Sequence, residues 1–294
     1  MPDNHCPPAP LGPAGVARPV GWWAQRLPLP RRTGIADCAS IRYWNRPGPT
    51  AGRPDGAPVL FVHGYAGTEH SWGPLRAALA DAGFGCLIAL RYNAFRADIH
   101  QVADWLVDRA THAARMAGVG GVHLIGHSMG GLVIRDAVQN RGLGALAATA
   151  VTIATPHSGC RLARFVPGPA ARQMRPGSDF LAGLGALPER RRTRWVLIHG
   201  AADRVVRLSG NEFGGPDADF ADLVTVREPA AGHGSITRNP GVIARVVAEL
   251  QRAEPAQPIQ RGPELQRAEP AQPIQRGPGL PGSAVTAAPA LSAA

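Results

Sequence analysis

The segment with the clearest chemical signature is 126–130, which reads Gly-His-Ser-Met-Gly. It follows an apolar run at 121–125 and precedes a segment whose apolar residues recur at helical spacing. Small residues let a sharp strand-to-helix turn hold a strained central residue. The hydroxyl of that residue then lies at a helix N-terminus, where N–H groups favour negative charge. Ser128 is therefore the predicted nucleophile of an acyl-transfer reaction.

An acyl-transfer serine needs a general base and an acid that orients the base. His233 is the predicted base, in an Ala-Gly-His-Gly stretch after the predicted strand 223–226. Asp203 is the predicted acid, just past the apolar run 195–199. Because the carboxyl ends of parallel strands meet at one edge of a sheet, both side chains are expected to approach the serine.

An oxyanion also needs donors. The apolar run 57–62 opens into His-Gly-Tyr-Ala-Gly at 63–67, whose glycines let the chain turn back towards the nucleophile. The backbone N–H groups of Tyr65 and Met129 are the predicted donors, since the residue after the nucleophile and an early loop supply them in such sites.

Other polar residues near these motifs leave alternatives open. His63 and His127 are interpreted as structural hydrogen-bond donors in strand-to-loop turns. His157 is an alternative base, and Asp179 and Glu228 are alternative acids. The four cysteines form no C-x-x-C pair, and the histidine spacings do not suit a metal ion, so no metal site is predicted.

Five motifs, in this order, resemble bacterial lipases and esterases of the α/β-hydrolase superfamily: V-H-G-Y-A-G, G-H-S-M-G-G, A-T-P-H-S-G, H-G-A-A-D and A-G-H-G. The resemblance covers about 31–250. It implies a mostly parallel central sheet with helices on both faces. It also implies hydrolysis of carboxylic esters through an acyl-enzyme, without a cofactor. A thioesterase, an acyltransferase or a cofactor-free haloperoxidase would use the same triad, and a hydrolase fold kept for binding is a further alternative.

The pattern of elements is that of an α/β fold. Short apolar strands alternate with helical segments through 57–154, which predicts a parallel sheet covered on both faces. Ser71 and Ser178 are predicted helix N-caps. Segment 158–193 contains no predicted strand and is interpreted as a cap or lid, with an ordinary long crossover connection as the alternative. Its predicted acyl-facing side chains are Phe165, Met174, Phe180 and Leu181.

Composition predicts one globular domain, 31–250, between two tails. Residues 1–30 are rich in proline and glycine, and 251–294 carries a tandem 15-residue repeat with one change between the copies. The first tail is predicted to be disordered because of its proline and glycine content, with Trp22 and Trp23 as exceptions that could pack on the domain. The second is predicted to be disordered because each repeat has only Ile and Leu as large apolar residues.

All 31 of the Lys+Arg residues are arginine. The absence of lysine excludes a Walker A lysine, a Schiff-base lysine and a Ser-Lys dyad. The net charge is +10, but the arginines are dispersed, so neither a nucleic acid nor an obligate protein partner is predicted. The predicted partner is a small ester or lipid substrate, and arginines beside 158–193 suit a lipid interface. No secretory apolar segment is recognised, so a cytoplasmic location is expected, with secretion as the alternative if the start codon is misassigned.

Overall fold

The structure is a computed structural model, and it describes residues 40–44, 56–184, 193–206 and 223–253. These residues contain seven strands in one sheet: β1 Ser40–Trp44, β2 Val59–Val62, β3 Leu87–Arg91, β4 Val122–His127, β5 Ala147–Ile153, β6 Arg194–Gly200 and β7 Leu223–Glu228. The spatial order is β1-β3-β2-β4-β5-β6-β7. Strand β1 is antiparallel to β3, and every other pair is parallel.

Helices cover both faces of this sheet. They are α1 Gly73–Asp81, α2 Ile99–Ala117, α3 Met129–Asn140, α4 Pro169–Gln173, α5 Asp179–Gly183 and α6 Pro240–Arg252. Leu106 of α2 and Leu132 of α3 belong to the core on one face, whereas Leu79 of α1 and Val246 of α6 belong to the core on the other. The central strands are buried on both sides, which explains their continuous apolar runs. The predicted α/β-hydrolase architecture is confirmed.

One of the two predicted helix caps is wrong. Ser71 lies inside the 3-10 helix Glu69–Trp72, and its hydroxyl donates to the Thr68 carbonyl at 2.7 Å. Helix α1 begins at Gly73 with a proline in its first turn instead of a side-chain cap. Ser178 does cap α5, because its Oγ accepts from the Leu181 N–H at 3.3 Å.

The described part of the predicted insertion between β5 and β6, residues 158–184, contains short helices, and we refer to it as the cap. This cap is anchored on α2. Gln173 Nε2 donates to Asp98 Oδ2 at 3.0 Å, and the Phe180 ring meets the His100 ring edge-on, with 5.1 Å between centroids. The rest of the predicted insertion, 185–192, lies outside the described residues.

The predicted tails fall almost wholly on residues that the structure does not describe, 1–39 and 254–294. Helix α6 ends at Arg252, two residues beyond the predicted domain boundary. In the described part of the chain, every helix lacks the combination of length and apolarity that is needed to cross a bilayer.

Candidate active site

Ser128 lies at the sharp turn between β4 and α3. Its backbone angles are φ 53° and ψ −123°. A positive φ is strained for a residue with a side chain, so a serine adopts it only where the surrounding structure holds it. The glycines around it are sterically required. A Cβ on Gly126 would lie 2.7 Å from the Gly130 carbonyl carbon, and a Cβ on Gly130 would overlap the Val62 carbonyl oxygen. Tight packing of β2 and β4 against the first turn of α3 therefore places the hydroxyl at the helix N-terminus.

The structure brings Ser128, His233 and Asp203 into one hydrogen-bonded chain. His233 Nε2 is 3.1 Å from Ser128 Oγ, and His233 Nδ1 is 2.8 Å from Asp203 Oδ2. The three residues follow β4, β7 and β6, so they meet at the carboxyl edge of the sheet. Ser128 and Asp203 are each only 8% exposed. This arrangement lets the imidazole accept the serine proton while its other nitrogen donates to the carboxylate.

Asp203 is held as a carboxylate. Its Oδ1 accepts from the backbone N–H groups of Val205 at 2.8 Å and Val206 at 2.9 Å. Burial raises the pKa of this carboxyl, but the hydrogen bonds from His233 and Val206 outweigh it and hold the pKa below its usual value. The acid is therefore ionised at neutral pH and presents its second oxygen to the imidazole.

The alternative base and acids make other contacts. His157 is buried, with its Nε2 3.0 Å from Thr152 Oγ1. Burial lowers the pKa of His157 well below its usual value. Asp179 begins α5 on the surface, and Glu228 Oε2 lies beside the first turn of α6. None of these three takes part in the hydrogen-bonded chain.

The two predicted oxyanion donors flank the nucleophile. Met129 is the first residue of α3, whose first N–H groups have no intrahelical acceptor. Tyr65 lies in a loop that packs tightly on the elbow, because a Cβ on Gly64 would be 3.0 Å from Ser128 Cβ. The Tyr65 hydroxyl donates to the Pro167 carbonyl of the cap, which fixes this loop from the outside.

His63 and His127 hydrogen-bond to backbone carbonyls, as their interpretation as structural donors requires. His63 Nδ1 lies 2.9 Å from the Gly64 carbonyl, and its ring stacks on Tyr92 with 4.0 Å between centroids. His127 Nε2 lies 2.9 Å from the His233 carbonyl. Burial lowers the pKa of both histidines, that of His127 to about 4.

A cavity of about 420 Å³ opens over Ser128 and His233. Its wall is mainly apolar and includes Tyr65, Leu162, Ala163, Val166, Met174 and Val205. The cap supplies much of this wall. Within the described residues, no group of three or more His, Cys, Asp or Glu side chains is arranged to hold a metal ion.

Of the four predicted acyl-facing residues, only Met174 lines this cavity. Phe165 is 73% exposed beneath the Arg164 guanidinium, whereas Phe180 packs on α2 and Leu181 against the core beside it. The prediction is therefore corrected for these three. Helix α5, which carries Phe180 and Leu181, packs towards α2 and the core, and Phe165, at the end of the 3-10 helix Arg161–Phe165, is exposed to solvent.

Sequence reasoning missed Leu162, Ala163 and Val166, which line the cavity from the 3-10 helix Arg161–Phe165 and the residue after it. Arg161 and Arg164 are three residues apart, so in a 3-10 helix they lie on the same side, and both are exposed. Their spacing is the sequence signal that Ala163, between them, faces inward.

No family model matches the chain. A triacylglycerol lipase of Burkholderia plantarii is 31% identical over 164 residues, which is 51% of this chain and 43% of that lipase. The structure resembles Aspergillus fumigatus lipase B, with a TM-score of 0.58 and 17% identity over 71% of this chain and 56% of that one. It also resembles the mature Bacillus licheniformis lipase BlEst2, with a TM-score of 0.56 and 15% identity over 72% and 97%.

The structural likenesses show that the chain has the α/β-hydrolase fold, and the sequence match adds a lipase as a relative. The matched part spans less than half the length of the Burkholderia lipase and somewhat more than half of the Aspergillus lipase. The activities of those proteins are therefore a basis for a proposal about this protein.

Proposed function

We propose that this protein cleaves carboxylic esters through an acyl-enzyme on Ser128. The observation that carries the proposal is the hydrogen-bonded chain from Ser128 Oγ through His233 to Asp203, with contacts of 3.1 and 2.8 Å, at the floor of an apolar cavity. The lipases among its relatives support an ester or lipid substrate.

In the proposed reaction, His233 Nε2 takes the hydroxyl proton as Ser128 Oγ attacks the ester carbonyl carbon. The carbonyl oxygen becomes an oxyanion and accepts from the N–H groups of Tyr65 and Met129. Loss of one such donor typically costs about 3–4 kcal/mol in the barrier. The ester C–O bond breaks as His233 returns the proton to the departing alcohol. Water then attacks the acyl-enzyme by the same route and releases the carboxylic acid.

The apolar wall of the cavity favours an apolar acyl group in the bound substrate. The cap side chains Leu162, Val166 and Met174 face the same space as Ser128 and His233. A volume of about 420 Å³ lies within the range of small-molecule sites. The acyl chain would therefore lie against the cap while the carbonyl carbon sits beside Ser128.

The surface around the cavity mouth supports a lipid interface. The large apolar side chains that are exposed among the described residues are Phe95, Leu162, Phe165 and Val205. Leu162 and Val205 line the cavity itself, and the Phe95 ring packs edge-on against Tyr65 of its wall. We define these four residues as the apolar rim. Segment 156–178 contributes four arginines and no acidic residue, so an anionic lipid surface would be the complementary partner.

The test is a panel of p-nitrophenyl esters and acyl-CoA thioesters of graded chain length, with wild-type protein and Ser128→Ala. Ester hydrolysis should fall by roughly 10⁴–10⁶-fold in kcat in the variant. A fluorophosphonate should label the wild type at Ser128 and leave the variant unlabelled. A preference for the thioesters would favour the thioesterase alternative, and a wild type without hydrolysis or labelling would overturn the proposal.

A further inference from the structure

The side chain of His127 joins the nucleophile elbow to the loop of the base. His127 is the last residue of β4 and directly precedes Ser128. Its Nε2 lies 2.9 Å from the backbone carbonyl oxygen of His233, which is 106 residues away in sequence. The two imidazole rings are 5.1 Å apart and tilted by 45°. One side chain therefore links the strand that presents the nucleophile to the backbone that presents the base.

The direction of this hydrogen bond follows from the protonation of His127. Burial lowers the pKa of its imidazole to about 4, so the ring is neutral near pH 7 and carries one N–H group. A carbonyl oxygen can only accept, so the hydrogen is on Nε2 and His127 is the donor. A neutral ring here also avoids placing a second positive charge 5.1 Å from the imidazolium that the proposed reaction forms on His233.

The His127 ring itself is held on other sides. A Cβ on Gly64 would be 3.3 Å from His127 Nδ1, so the oxyanion loop lies directly against the ring. The edge of the ring meets Trp72, which is fully buried, at an interplanar angle of 86° and a centroid distance of 6.5 Å. The donor therefore points in one fixed direction.

The two glycines beside the base make few packing contacts. A Cβ on Gly234 would meet no atom within 4 Å, and a Cβ on Gly232 would come no closer than 3.7 Å to its nearest neighbour. A local turn closes the loop, with the Ser235 N–H donating to the Gly232 carbonyl at 3.2 Å. The loop is packed before this turn, because Ala231 is buried and a Cβ on Gly200 would overlap its carbonyl oxygen. Between these glycines, the hydrogen bond to the His233 carbonyl is therefore a contact that can set the position of the base.

We propose that His127 is a positioning residue for the ester hydrolysis proposed above. By donating to the His233 carbonyl, it sets the distance of the base loop from the elbow. At that distance His233 Nε2 reaches Ser128 while His233 Nδ1 reaches Asp203. His127 is also one of the residues that line the cavity, but in this role it acts through His233 and not on the reacting atoms.

Three variants separate positioning from folding. His127→Gln keeps an N–H donor at a similar reach, His127→Asn keeps an amide that is too short to reach the carbonyl, and His127→Leu has no donor. We expect kcat on p-nitrophenyl butyrate to fall by roughly 10–100-fold in the asparagine and leucine variants, because small displacements of a catalytic group cost about that much. KM should change little, and the glutamine variant should stay near the wild type. The rate of fluorophosphonate labelling at Ser128 should follow kcat.

The melting temperature of each variant is measured alongside. Wild-type kcat in the asparagine variant would overturn the proposal, as would equal losses in the glutamine and asparagine variants. If the leucine variant does not fold, the glutamine and asparagine pair still decides. Wild-type protein that neither hydrolyses the ester nor reacts at Ser128 would instead overturn the proposed function.

Discussion

At the scale of single residues, hydrogen bonds to neighbouring strands hold the strained backbone of the site in place. Among the described residues, the non-glycine residues with positive φ are Ser128, at 53°, and Ala154, at 50°. Ser128 N donates to the Ile153 carbonyl at 2.8 Å, and Ala154 N donates to the Ile198 carbonyl at 2.8 Å. Each strained residue thus continues the hydrogen bonding of a neighbouring strand. The cost of the strained angles is offset by the strands that the turns connect.

Asp203→Asn tests the role of the acid. The introduced amide would offer an N–H group to His233 Nδ1, which favours the wrong tautomer of the base, so kcat should fall by about 10⁴-fold. The control is Glu228→Gln, whose side chain lies beside α6 and outside the hydrogen-bonded chain. Steady-state kinetics on p-nitrophenyl butyrate measures both variants. An aspartate variant that keeps wild-type kcat would move the acid role elsewhere.

At the scale of elements, a buried carboxylate ties α2 to α3. Asp136 Oδ2 accepts from Arg141 Nε at 2.6 Å and is 2.8 Å from His100 Nδ1, while Oδ1 accepts from Asn140 at 3.0 Å. The Asp136 side chain is fully buried. Burial raises the pKa of this carboxyl, but the hydrogen bonds from Arg141, Asn140 and His100 hold it below its usual value. A carboxyl whose pKa is lowered on folding stabilises the fold above its unfolded pKa, which is about 3.9.

Asp136→Asn should therefore lower the free energy of unfolding by about 1.5–3 kcal/mol at pH 7, because it removes the charged acceptor of several hydrogen bonds at a fully buried position. The difference from the wild type should shrink as the pH falls below about 4, where Asp136 of the unfolded wild-type chain takes up a proton before the folded one does. Urea unfolding at pH 7 and at acid pH measures both effects. The matched control is Asp104→Asn, because Asp104 also pairs with Arg141 but is 53% exposed. It should cost less than about 1 kcal/mol, and an equal cost in both variants would contradict the argument.

The sequence predicted the elements around the site better than the direction in which the cap faces. Continuous apolar runs identify buried parallel strands, and the glycines at 126–130 are dictated by local contacts. The convergence of Asp203 and His233 on Ser128 followed from strand order in a parallel sheet. By contrast, the direction in which Phe180 points depends on its contact with His100, about 80 residues away. A pattern of apolar residues in a short helix does not record that contact.

Met174 is expected to affect substrate preference, whereas Phe180 is expected to affect stability. Met174→Ala enlarges the cavity, so the preference among acyl chain lengths should change. The activation free energy that kcat/KM reports should change by up to roughly 1–3 kcal/mol for the longer esters, while that for p-nitrophenyl acetate changes little. Phe180→Ala leaves a void against α2, so it should cost about 3–5 kcal/mol of stability without changing the order of preference. The chain-length panel and thermal unfolding distinguish these outcomes. A changed preference in the phenylalanine variant alone would mean that α5 reaches the substrate.

At the scale of the whole molecule, charge and apolar surface coincide at the proposed substrate entrance. Two residues of the apolar rim, Leu162 and Val205, line the cavity, and a third, Phe95, packs on Tyr65 of its wall. Arg164 lies 4.9 Å from the centre of the Phe165 ring, so a cationic group and the most exposed of the four rim side chains share one position. Arg115, by contrast, lies in the last turn of α2, close to the start of β4 and the opposite edge of the sheet.

Binding to lipid vesicles tests this surface. The protein should sediment with vesicles that contain phosphatidylglycerol more than with pure phosphatidylcholine, because each arginine near an anionic surface contributes about 1 kcal/mol. Phe165→Ala and Arg161→Ala should both weaken this binding, whereas Arg115→Ala, which removes a charge of the same kind at the far edge, should not. Hydrolysis of soluble p-nitrophenyl acetate should stay unchanged in all three variants, since none of these side chains lines the cavity. Added salt should weaken the binding of the wild type, because it screens exposed charges. Equal binding to neutral and anionic vesicles, or equal losses in the cap and Arg115 variants, would show that this surface does not select an anionic lipid.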